Sequence, residues 1–262
     1  MSYYKGNGEF ELKKMIIDIG KRLWQRIYIA SNDGNISVKI NDNEILTTPT
    51  GVSKGFMTPD MIIKMSMDGK VLSKSSKYRP SSEVKMHFEV YREREDIKSV
   101  IHAHPPYCTS FAVAGVPLDK CVLPEAIIVI GAVPIAEYGT PSTMEIPDAI
   151  KPYVKNSDAI LLANHGALTF GTDLISAYHK METLEHTAQI VTLAHHLGNV
   201  NVLQQDQVDT LMQLRETKFK VPGKITACAA SPATAPTPST ANDETIQYIT
   251  KQVIERLKNI KK

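Results

Sequence analysis

The chain has 262 residues, of which 42% are hydrophobic and 22% charged, a balance typical of a globular protein with one substantial core. Its 30 basic and 28 acidic residues leave a formal net charge of +2, which gives no argument for nucleic-acid binding and argues against a polybasic membrane surface. The N-terminal stretch MSYYKGNGEF predicts no signal peptide, and no apolar run reaches the about 20 residues of a membrane helix. Cys108, Cys121 and Cys228 form no CxxC pair, which predicts a reduced, intracellular protein without a disulfide framework.

The first part of the chain predicts a helix followed by short strands. Apolar residues recur at helical spacing over residues 9–30, which predicts one amphipathic helix. The polar turn SNDGN separates this helix from two short strands, ISVKI and EILTTPT, which the turn NDN joins. Thr58-Pro59 predicts a helix over residues 57–65, because proline fits the first helical position.

The middle of the chain alternates helices with strands, which indicates α/β packing. Ser81 or Ser82 is a suitable N-cap for a helix in VKMHFEVYRERED. The β-branched segment KSVIHAH predicts a strand that ends before Pro105, and YCTSFAVAG predicts the next helix. We further expect a strand near residues 126–130, a buried strand in AILLAN and a long helix over residues 174–198.

The composition changes sharply after about Lys224. The segment TACAASPATAPTPSTAN cannot bury a core, so residues 224–242 are predicted to be a disordered linker after a folded domain over residues 1–223. Residues 243–262 regain a pattern, because five apolar residues fall on one face of a helix. These are Ile246, Ile249, Val253, Leu257 and Ile260. A lone helix of this length is marginal in water, so it needs a partner to bury that stripe.

Three histidines have positions that suit a metal site. His102 and His104 lie two residues apart on a predicted strand, so their side chains project from the same face. His165 follows the apolar strand AILLAN, which places it at an edge of the sheet. Catalytic zinc usually takes three protein ligands and keeps one position open. Each motif alone is equally typical of structural histidines that form hydrogen bonds at strand ends.

Small and polar residues at two turns and one helix start predict an anion site. Two hydroxyls and free backbone N–H groups at a helix start suit a phosphate, although the same residues also serve as a plain capping motif. The two turns allow close backbone approach and add an amide and a hydroxyl; alone, each would be an ordinary loop. The residues are Gly34, Asn35, Thr50, Gly51, Ser81 and Ser82.

Together and in this order, five stretches resemble the class II aldolase and adducin-head family, specifically its L-fuculose-1-phosphate aldolases. They are DGNISV, TTPTG, PSSEVKMHFEVY, VIHAHPPYCTSFA and LLANHGALTFG, within about residues 12–218. The resemblance implies an α/β fold with a central, mainly antiparallel sheet flanked by helices, and a cyclic homotetramer with sites between subunits. It implies one zinc ion per subunit, bound by His102, His104 and His165. It further implies Glu83 as both metal ligand and catalytic acid/base, and the six residues of the anion site as the phosphate pocket.

The implied substrate is L-fuculose 1-phosphate or L-rhamnulose 1-phosphate, cleaved to dihydroxyacetone phosphate and L-lactaldehyde. Fuculose aldolases carry a tyrosine after the HxH region as a proton donor, but this region contains Glu125 here. Glu125 and Tyr138 are the candidates for that position, and the role of the tyrosine is not carried over to either. The family also leaves open a sugar-phosphate 4-epimerase, a dehydratase or a non-catalytic adducin-like module. The ligand set accepts manganese or cobalt as well as zinc.

The C-terminal linker and helix lie outside this pattern and resemble the encapsulation peptides that direct enzymes into bacterial microcompartments. The resemblance implies shell proteins as partners through residues 243–262, and a cytoplasmic location inside such a compartment. Recognition would use an amphipathic helix in a groove. Docking of the helix on its own tetramer and binding to a membrane surface are the alternatives, and the absence of Trp and Phe from the stripe disfavours the membrane.

Overall fold

The computed structural model describes residues 8–73 and 77–231. Within them, seven strands form one mixed sheet: β1 Asn35–Asn41, β2 Glu44–Thr47, β3 Ile63–Ser66, β4 Ser99–Ala103, β5 Ile135–Ala136, β6 Ala159–Leu162 and β7 Gly166–Gly171. Their order across the sheet is β3-β2-β1-β4-β7-β6-β5. Neighbouring strands are antiparallel except for β5 and β6, which are parallel.

Seven α-helices accompany this sheet in the described residues: α1 Glu9–Gln25, α2 Val84–Glu93, α3 Pro106–Ala114, α4 Pro124–Val129, α5 Glu145–Val154, α6 Leu174–Leu197 and α7 Gln205–Leu214. Helices α1, α3 and α6 pack on one face of the sheet, and α2 and α5 pack on the other. The expected α/β fold, with a sheet flanked by helices, is confirmed.

The alternation of side chains along each strand creates two apolar cores, one on each face. In β4, Ile101 and Ala103 belong to the core beneath α1, α3 and α6, whereas Val100 belongs to the core beneath α2 and α5. His102 has the same parity as Val100, so its side chain projects towards α2. Each fully buried Leu or Ile side chain contributes about 1.5–3 kcal/mol to folding. Burial of this alternating pattern therefore determines the face from which His102 projects.

Three strands bring their ends to the same edge of the sheet. Asn35, the first residue of β1, pairs with His102 near the end of β4. Ala103, the last residue of β4, pairs with Ala167 near the start of β7. Segments that are far apart in the sequence therefore place their polar residues together at this edge.

Two predicted elements are wrong. The strand expected near residues 126–130 is the helix α4, which begins with Pro124 at a position where proline favours a helix start. The helix expected over residues 57–65 is a 3-10 turn at Pro59–Met61 followed by β3. In β3, Ile63 and Met65 are buried and alternate with more exposed residues, so the period of two of an edge strand overrides the helix-start signal.

Other predicted elements have different bounds, or were not expected. The helix predicted over residues 9–30 ends at Gln25, where the chain turns through Ile27 with a positive φ of 61°. The predicted strands before and after residue 42, the helix α2, the strand β4 and the long helix α6 are confirmed. Helices α5 and α7 and strand β7 had no counterpart in the sequence analysis.

The folded domain extends beyond its predicted boundary at residue 223. The backbone N–H of Lys224 donates to Oδ1 of Asp158 at 3.3 Å, and that of Ala132 donates to the carbonyl of Thr226 at 2.9 Å. The first compact unit ends at Ala230. Residues 224–230 are therefore part of the domain and not of a disordered linker, because their backbone groups bond to it. The predicted helix over residues 243–262, and the linker residues from 232 onwards, lie outside the described residues.

Cys121 and Cys228 form a disulfide across 107 residues, which corrects the expectation of three unpaired thiols. Both lie in a small apolar cluster with Ile127 and Val208. Cys108 is free and buried. The pairing joins segments that are neighbours only in the fold, so residue spacing could not indicate it. Among the helices of the described residues, none is both long and apolar enough to span a membrane.

The disulfide predicts how many thiols the unfolded chain exposes. Protein purified without reductant and denatured in guanidinium chloride should show one reactive thiol per chain, from Cys108, and three after reduction. A chromogenic thiol reagent provides the measurement, and Cys108→Ala, as the control, should show none before reduction. Three reactive thiols in the unreduced wild-type chain would contradict the pairing.

Candidate active site

Three histidines converge at the edge where β1, β4 and β7 meet. His102 lies near the end of β4, His104 follows two residues later, and His165 ends the turn between β6 and β7. Their ligand atoms all lie within 4.8 Å of one another. Ligands about 2.1 Å from a tetrahedral zinc ion are about 3.4 Å apart, so small movements would bring the three nitrogens to a common ion. The triad could hold a metal ion.

The backbone around His165 allows this convergence. Asn164 adopts a left-handed conformation with a φ of 57°, which asparagine tolerates better than most residues. Gly166 follows, and a Cβ there would lie 2.6 Å from both the carbonyl oxygen of Ala103 and Cδ2 of His104. A glycine is therefore required for β7 to start this close to the other two histidines.

The hydrogen bonds of His102 and His104 leave one nitrogen of each ring available for a metal. Nδ1 of His102 donates to the carbonyl of Ala167 at 3.0 Å, and Nδ1 of His104 lies 3.5 Å from Oδ2 of Asp33. Such outer partners fix the ring orientation of metal-binding histidines. Burial lowers the pKa of His102 well below its ordinary value and also lowers that of His104, so both rings are neutral near pH 7. Neutral imidazole is the form that binds a metal.

The two Nε2 atoms of His102 and His104 lie 3.0 Å apart. Since Nδ1 carries the proton in each ring, both Nε2 atoms present lone pairs, and neither can donate to the other. A cation between them converts this repulsion into two favourable contacts. The residues present therefore fit a divalent metal ion.

Glu83 completes the donor set. Its Oε1 lies 3.2 Å from Nε2 of His165, and its Oε2 lies 3.7 Å from Nε2 of His102. Asn35 donates from Nδ2 to Oε2 at 3.0 Å. Burial alone would raise the pKa of Glu83, but the hydrogen bond to His165 and the electrostatic interactions with the three histidines lower it to about 2. The carboxylate is therefore ionised and could act as a metal ligand or accept a proton.

The turn at Gly34 and Asn35 lies directly beside the histidines. Gly34 has a φ of +68°, and a Cβ there would lie 2.8 Å from the carbonyl oxygen of His102. Asn35 is buried, and its Nδ2 also lies 3.3 Å from Oγ of Ser81. The structure thus brings Asn35, Ser81 and Glu83 into one hydrogen-bonded group.

The other predicted anion-binding residues lie on segments that are joined to this group. The backbone N–H of Thr50 donates to the carbonyl of Arg79 at 2.9 Å, which connects the Thr50-Gly51 turn to the segment before α2. Thr50, Gly51 and Ser82 are exposed. The N-cap of α2 is Glu83 and not the expected Ser81 or Ser82, and Ser81 Oγ instead accepts from the N–H of Glu83 at 3.3 Å.

Three residues near the site were missed by the sequence reasoning. Asp33 lies beside His104, and its position in the SNDGN turn was the available signal. Ser142 adopts a φ of 71° and its Oγ lies 2.6 Å from that of Ser82, but its loop has no motif that indicates this contact. Lys54 is buried beneath the turns at Gly34 and Gly51, where a lysine is not expected from sequence.

The two candidates for the missing tyrosine lie at the surface of the chain. Tyr138 is 58% exposed, and Glu125 is exposed on the first turn of α4. None of the hydrogen bonds or ion pairs found in residues 8–73 and 77–231 joins either side chain to the three histidines.

Comparison with known proteins finds a matching family, similar sequences and a similar solved structure. The family model of the class II aldolase and adducin N-terminal domain matches residues 14–192. An L-fuculose phosphate aldolase of Methanococcus maripaludis is 34% identical over 181 residues, which cover 69% of this chain and 96% of that protein. A 3-oxo-tetronate 4-phosphate decarboxylase of Haemophilus influenzae is 29% identical over 183 residues, which cover 68% of this chain and 85% of that protein. A solved L-fuculose 1-phosphate aldolase structure matches with a TM-score of 0.73 and 32% identity, over 80% of this chain and 96% of that one.

The convergence of the histidines predicts the effect of removing one of them. His165→Ala should weaken zinc binding by more than the about 10–100-fold that loss of an outer partner costs. Competition with a chromogenic chelator and the zinc content after gel filtration provide the measurement. His196→Ala, at an exposed position near the end of α6, is the matched control and should keep wild-type affinity. Equal zinc affinity in both variants would place the metal elsewhere.

Proposed function

The chain belongs to the class II aldolase and adducin N-terminal domain family, and we propose that it is a zinc-dependent aldolase acting on L-fuculose 1-phosphate or L-rhamnulose 1-phosphate. The products would be dihydroxyacetone phosphate and L-lactaldehyde. The observation that carries the proposal is the convergence of His102, His104, His165 and Glu83 beside the amide of Asn35 and the hydroxyl of Ser81. The similarity to L-fuculose phosphate aldolases supports the choice of substrate.

The three histidines would hold one zinc ion per subunit, with Glu83 as a further ligand. Bound zinc would supply a Lewis acid that stabilises negative charge on the substrate oxygens. Cleavage between C3 and C4 requires that the C4 hydroxyl lose a proton and that C3 then gain one. The ionised carboxylate of Glu83 would take up the proton released from the C4 hydroxyl and deliver it to C3; its contact with His165 and its hydrogen bond from Asn35 support this role.

The phosphate of the substrate would bind at the two turns and at the start of α2. Gly34 and Gly51 let the backbone approach the anion, while hydroxyls and backbone N–H groups donate to it. Binding energy from a group remote from the reacting carbons would then orient the C3–C4 bond. The residues are Gly34, Asn35, Thr50, Gly51, Ser81 and Ser82.

We further propose that the chain forms a homotetramer with sites between subunits. The exposure of Glu125 and Tyr138 within one chain supports this arrangement, because each side chain is free to reach a neighbouring subunit. In the cleavage direction, a residue contributed in this way would accept the proton of the C4 hydroxyl, in place of the tyrosine of fuculose aldolases, and pass it on towards Glu83.

Decarboxylation of 3-oxo-tetronate 4-phosphate is the second candidate reaction. The similarity to the Haemophilus influenzae enzyme favours it. The 4-epimerase and dehydratase alternatives share the metal and phosphate sites. A non-catalytic adducin-like module is disfavoured, because such modules lose the metal ligands and this chain retains all four.

A substrate panel distinguishes these reactions. Full-length zinc-loaded protein should release dihydroxyacetone phosphate from L-fuculose 1-phosphate in a coupled assay, should lose this activity with a chelator and should recover it with zinc. Glu83→Gln should lower kcat by about 10²–10⁴-fold, because it removes the proton carrier. Glu95→Gln, which alters an exposed carboxylate, should have no effect. Carbon dioxide release from 3-oxo-tetronate 4-phosphate without aldol cleavage would instead establish the second candidate.

We also propose that residues 243–262 bind a shell protein of a bacterial microcompartment, so that the enzyme acts in the cytoplasm within such a compartment. The support is the amphipathic pattern behind a Pro- and Ala-rich segment. Confinement would suit the chemistry, because lactaldehyde is reactive and is best consumed close to where it forms. The end of the compact unit at Ala230 moves the start of the proposed linker to about residue 231.

This second role predicts that packaging and catalysis can be separated. Deletion of residues 243–262 should leave kcat/KM unchanged and abolish co-sedimentation with purified shells. Val253→Asp, within the apolar stripe, should reproduce the loss of packaging, whereas Gln252→Asp, next to the stripe, should not. Packaging of the deletion variant at the wild-type level would refute the targeting role.

A further inference from the structure

Lys54 is a buried cation without an ionic partner of its own. It begins the short 3-10 helix Lys54–Phe56, and the residue is only 2% exposed. Its backbone packs against Gly20 of α1, where a Cβ would lie 2.7 Å from the carbonyl oxygen of Lys54. No ion pair among the described residues includes its Nζ. Buried charges in proteins are normally paired, so this ammonium is exceptional.

The Lys54 ammonium connects the two turns of the proposed phosphate pocket. Nζ donates to the carbonyl of Asn32 at 2.6 Å and to that of Val52 at 3.0 Å. Asn32 lies two residues before Gly34, and Val52 follows Gly51 directly. One side chain therefore sets the spacing of the two turns from beneath.

Two carboxylates interact electrostatically with Lys54, and both of them contact histidines of the candidate metal site. Asp33 lies 3.5 Å from Nδ1 of His104, and Glu83 lies 3.2 Å from Nε2 of His165. Burial lowers the pKa of Lys54 to about 8, and the charges of Asp33 and Glu83 oppose this change. The ammonium is therefore largely protonated near pH 7 while both carboxylates interact with histidines.

In the described part of the chain, the Lys54 ammonium forms no ion pair, and one of its N–H donors has no hydrogen-bond acceptor. An ammonium has three N–H donors, and two of them bond to uncharged carbonyls. The other residues of the proposed phosphate pocket are uncharged, although a phosphate group brings about two negative charges near pH 7. A phosphate on the adjoining turns would supply the missing counter-charge.

We propose that Lys54 is a positioning residue for the phosphate of the substrate, holding the two turns at the spacing the anion needs and offsetting its negative charge. The inference rests on the proposed function for the identity of the anion as a sugar phosphate. It adds a charged residue to a pocket otherwise built from neutral donors. It also accounts for a buried lysine that catalysis by Glu83 does not use.

The test measures phosphate binding without turnover. Inorganic phosphate is titrated calorimetrically into full-length, zinc-loaded wild-type protein and into the variants Lys54→Met, Lys54→Gln and Lys54→Arg. The two neutral variants should bind phosphate at least about tenfold more weakly, the effect of losing a charge-assisted interaction. Lys54→Arg keeps the charge and should restore much of the affinity. Zinc content should be unchanged in all three, which a general collapse of the site would not permit.

Lys39→Met is the matched control. The Lys39 side chain is also largely buried, at 9% exposure, but it lies 3.5 Å from its own partner Asp42 in the turn between β1 and β2. Phosphate affinity should not change in this variant. With the sugar phosphate as substrate, Lys54→Met should raise KM more than it lowers kcat, because it weakens binding that the ground and transition states share.

Three results would overturn the inference. They are wild-type phosphate affinity in a folded neutral variant, an equal loss of affinity in Lys39→Met, and failure of both neutral variants to fold. The last would mean that the chain itself needs the charge, with or without a ligand. Phosphate binding that depends on Lys54 in a protein without aldolase activity would disprove the proposed reaction alone, whereas aldolase activity with no effect of Lys54 on phosphate binding would disprove this inference alone.

Discussion

The pairing of β4 with β1 on one side and with β7 on the other determines where the three histidines and Asn35 lie. Asn35 is opposite His102 in one ladder, and Ala103 is opposite Ala167 in the other. The second ladder also places the carbonyl of Ala167 where it accepts from Nδ1 of His102. A one-residue shift in the register of β4 would turn His102 towards α1 and α6, away from Glu83. It would also move the apolar side chains of β4 to the opposite face of the sheet. The same burial that stabilises the sheet therefore fixes the orientation of the metal-binding side chains.

Glu83 reaches the histidines only if helix α2 has the correct position along β1. A second set of polar contacts fixes this position. Oγ of Ser37 lies 2.7 Å from both Nδ1 of His87 and the hydroxyl of Tyr91. Ser37 lies two residues after Asn35 on β1, and His87 and Tyr91 lie one and two turns after Glu83 on α2, so these contacts share one strand face and one helix face. Burial lowers the pKa of His87 to about 3, so it is neutral and acts as a hydrogen-bonding group only.

Two lysines that are buried in the described part of the chain, Lys180 and Lys54, differ in how their charge is compensated. Lys180 donates to Asp158 at 2.7 Å, and Arg94 donates to the same carboxylate at 3.0 Å. Removing one partner from such a buried network typically costs about 3–5 kcal/mol, because the other charge is left alone. Lys54 has only carbonyl acceptors. Lys180 is paired with a carboxylate within the domain, whereas Lys54 forms hydrogen bonds with uncharged carbonyls beside the proposed phosphate pocket.

The sequence predicted best what depends on short-range spacing. The alternation in a strand placed His102 and His104 on the same side, and a helix start placed Ser81 and Glu83 together. Prediction from the sequence failed where tertiary packing determines the structure. For example, β3 is an edge strand because it forms backbone hydrogen bonds with β2. Lys54 was missed because its side chain reaches turns that only the fold brings together. The C-terminal boundary was misplaced because the Ala-, Thr- and Ser-rich segment contains Cys228, whose partner lies 107 residues earlier.

The disulfide between Cys121 and Cys228 also gives the polypeptide a covalent connectivity that the strand order does not reveal. The chain between Cys121 and Cys228 is a closed ring, and His165 lies inside it, whereas His102, His104 and Glu83 lie on the open segment that precedes it. The donors of the candidate metal site thus come from two covalently distinct parts of the molecule. A single backbone cut within the ring would leave all the donors on one covalent piece while the disulfide remained, and reduction would then separate His165 from the rest if the cut preceded it.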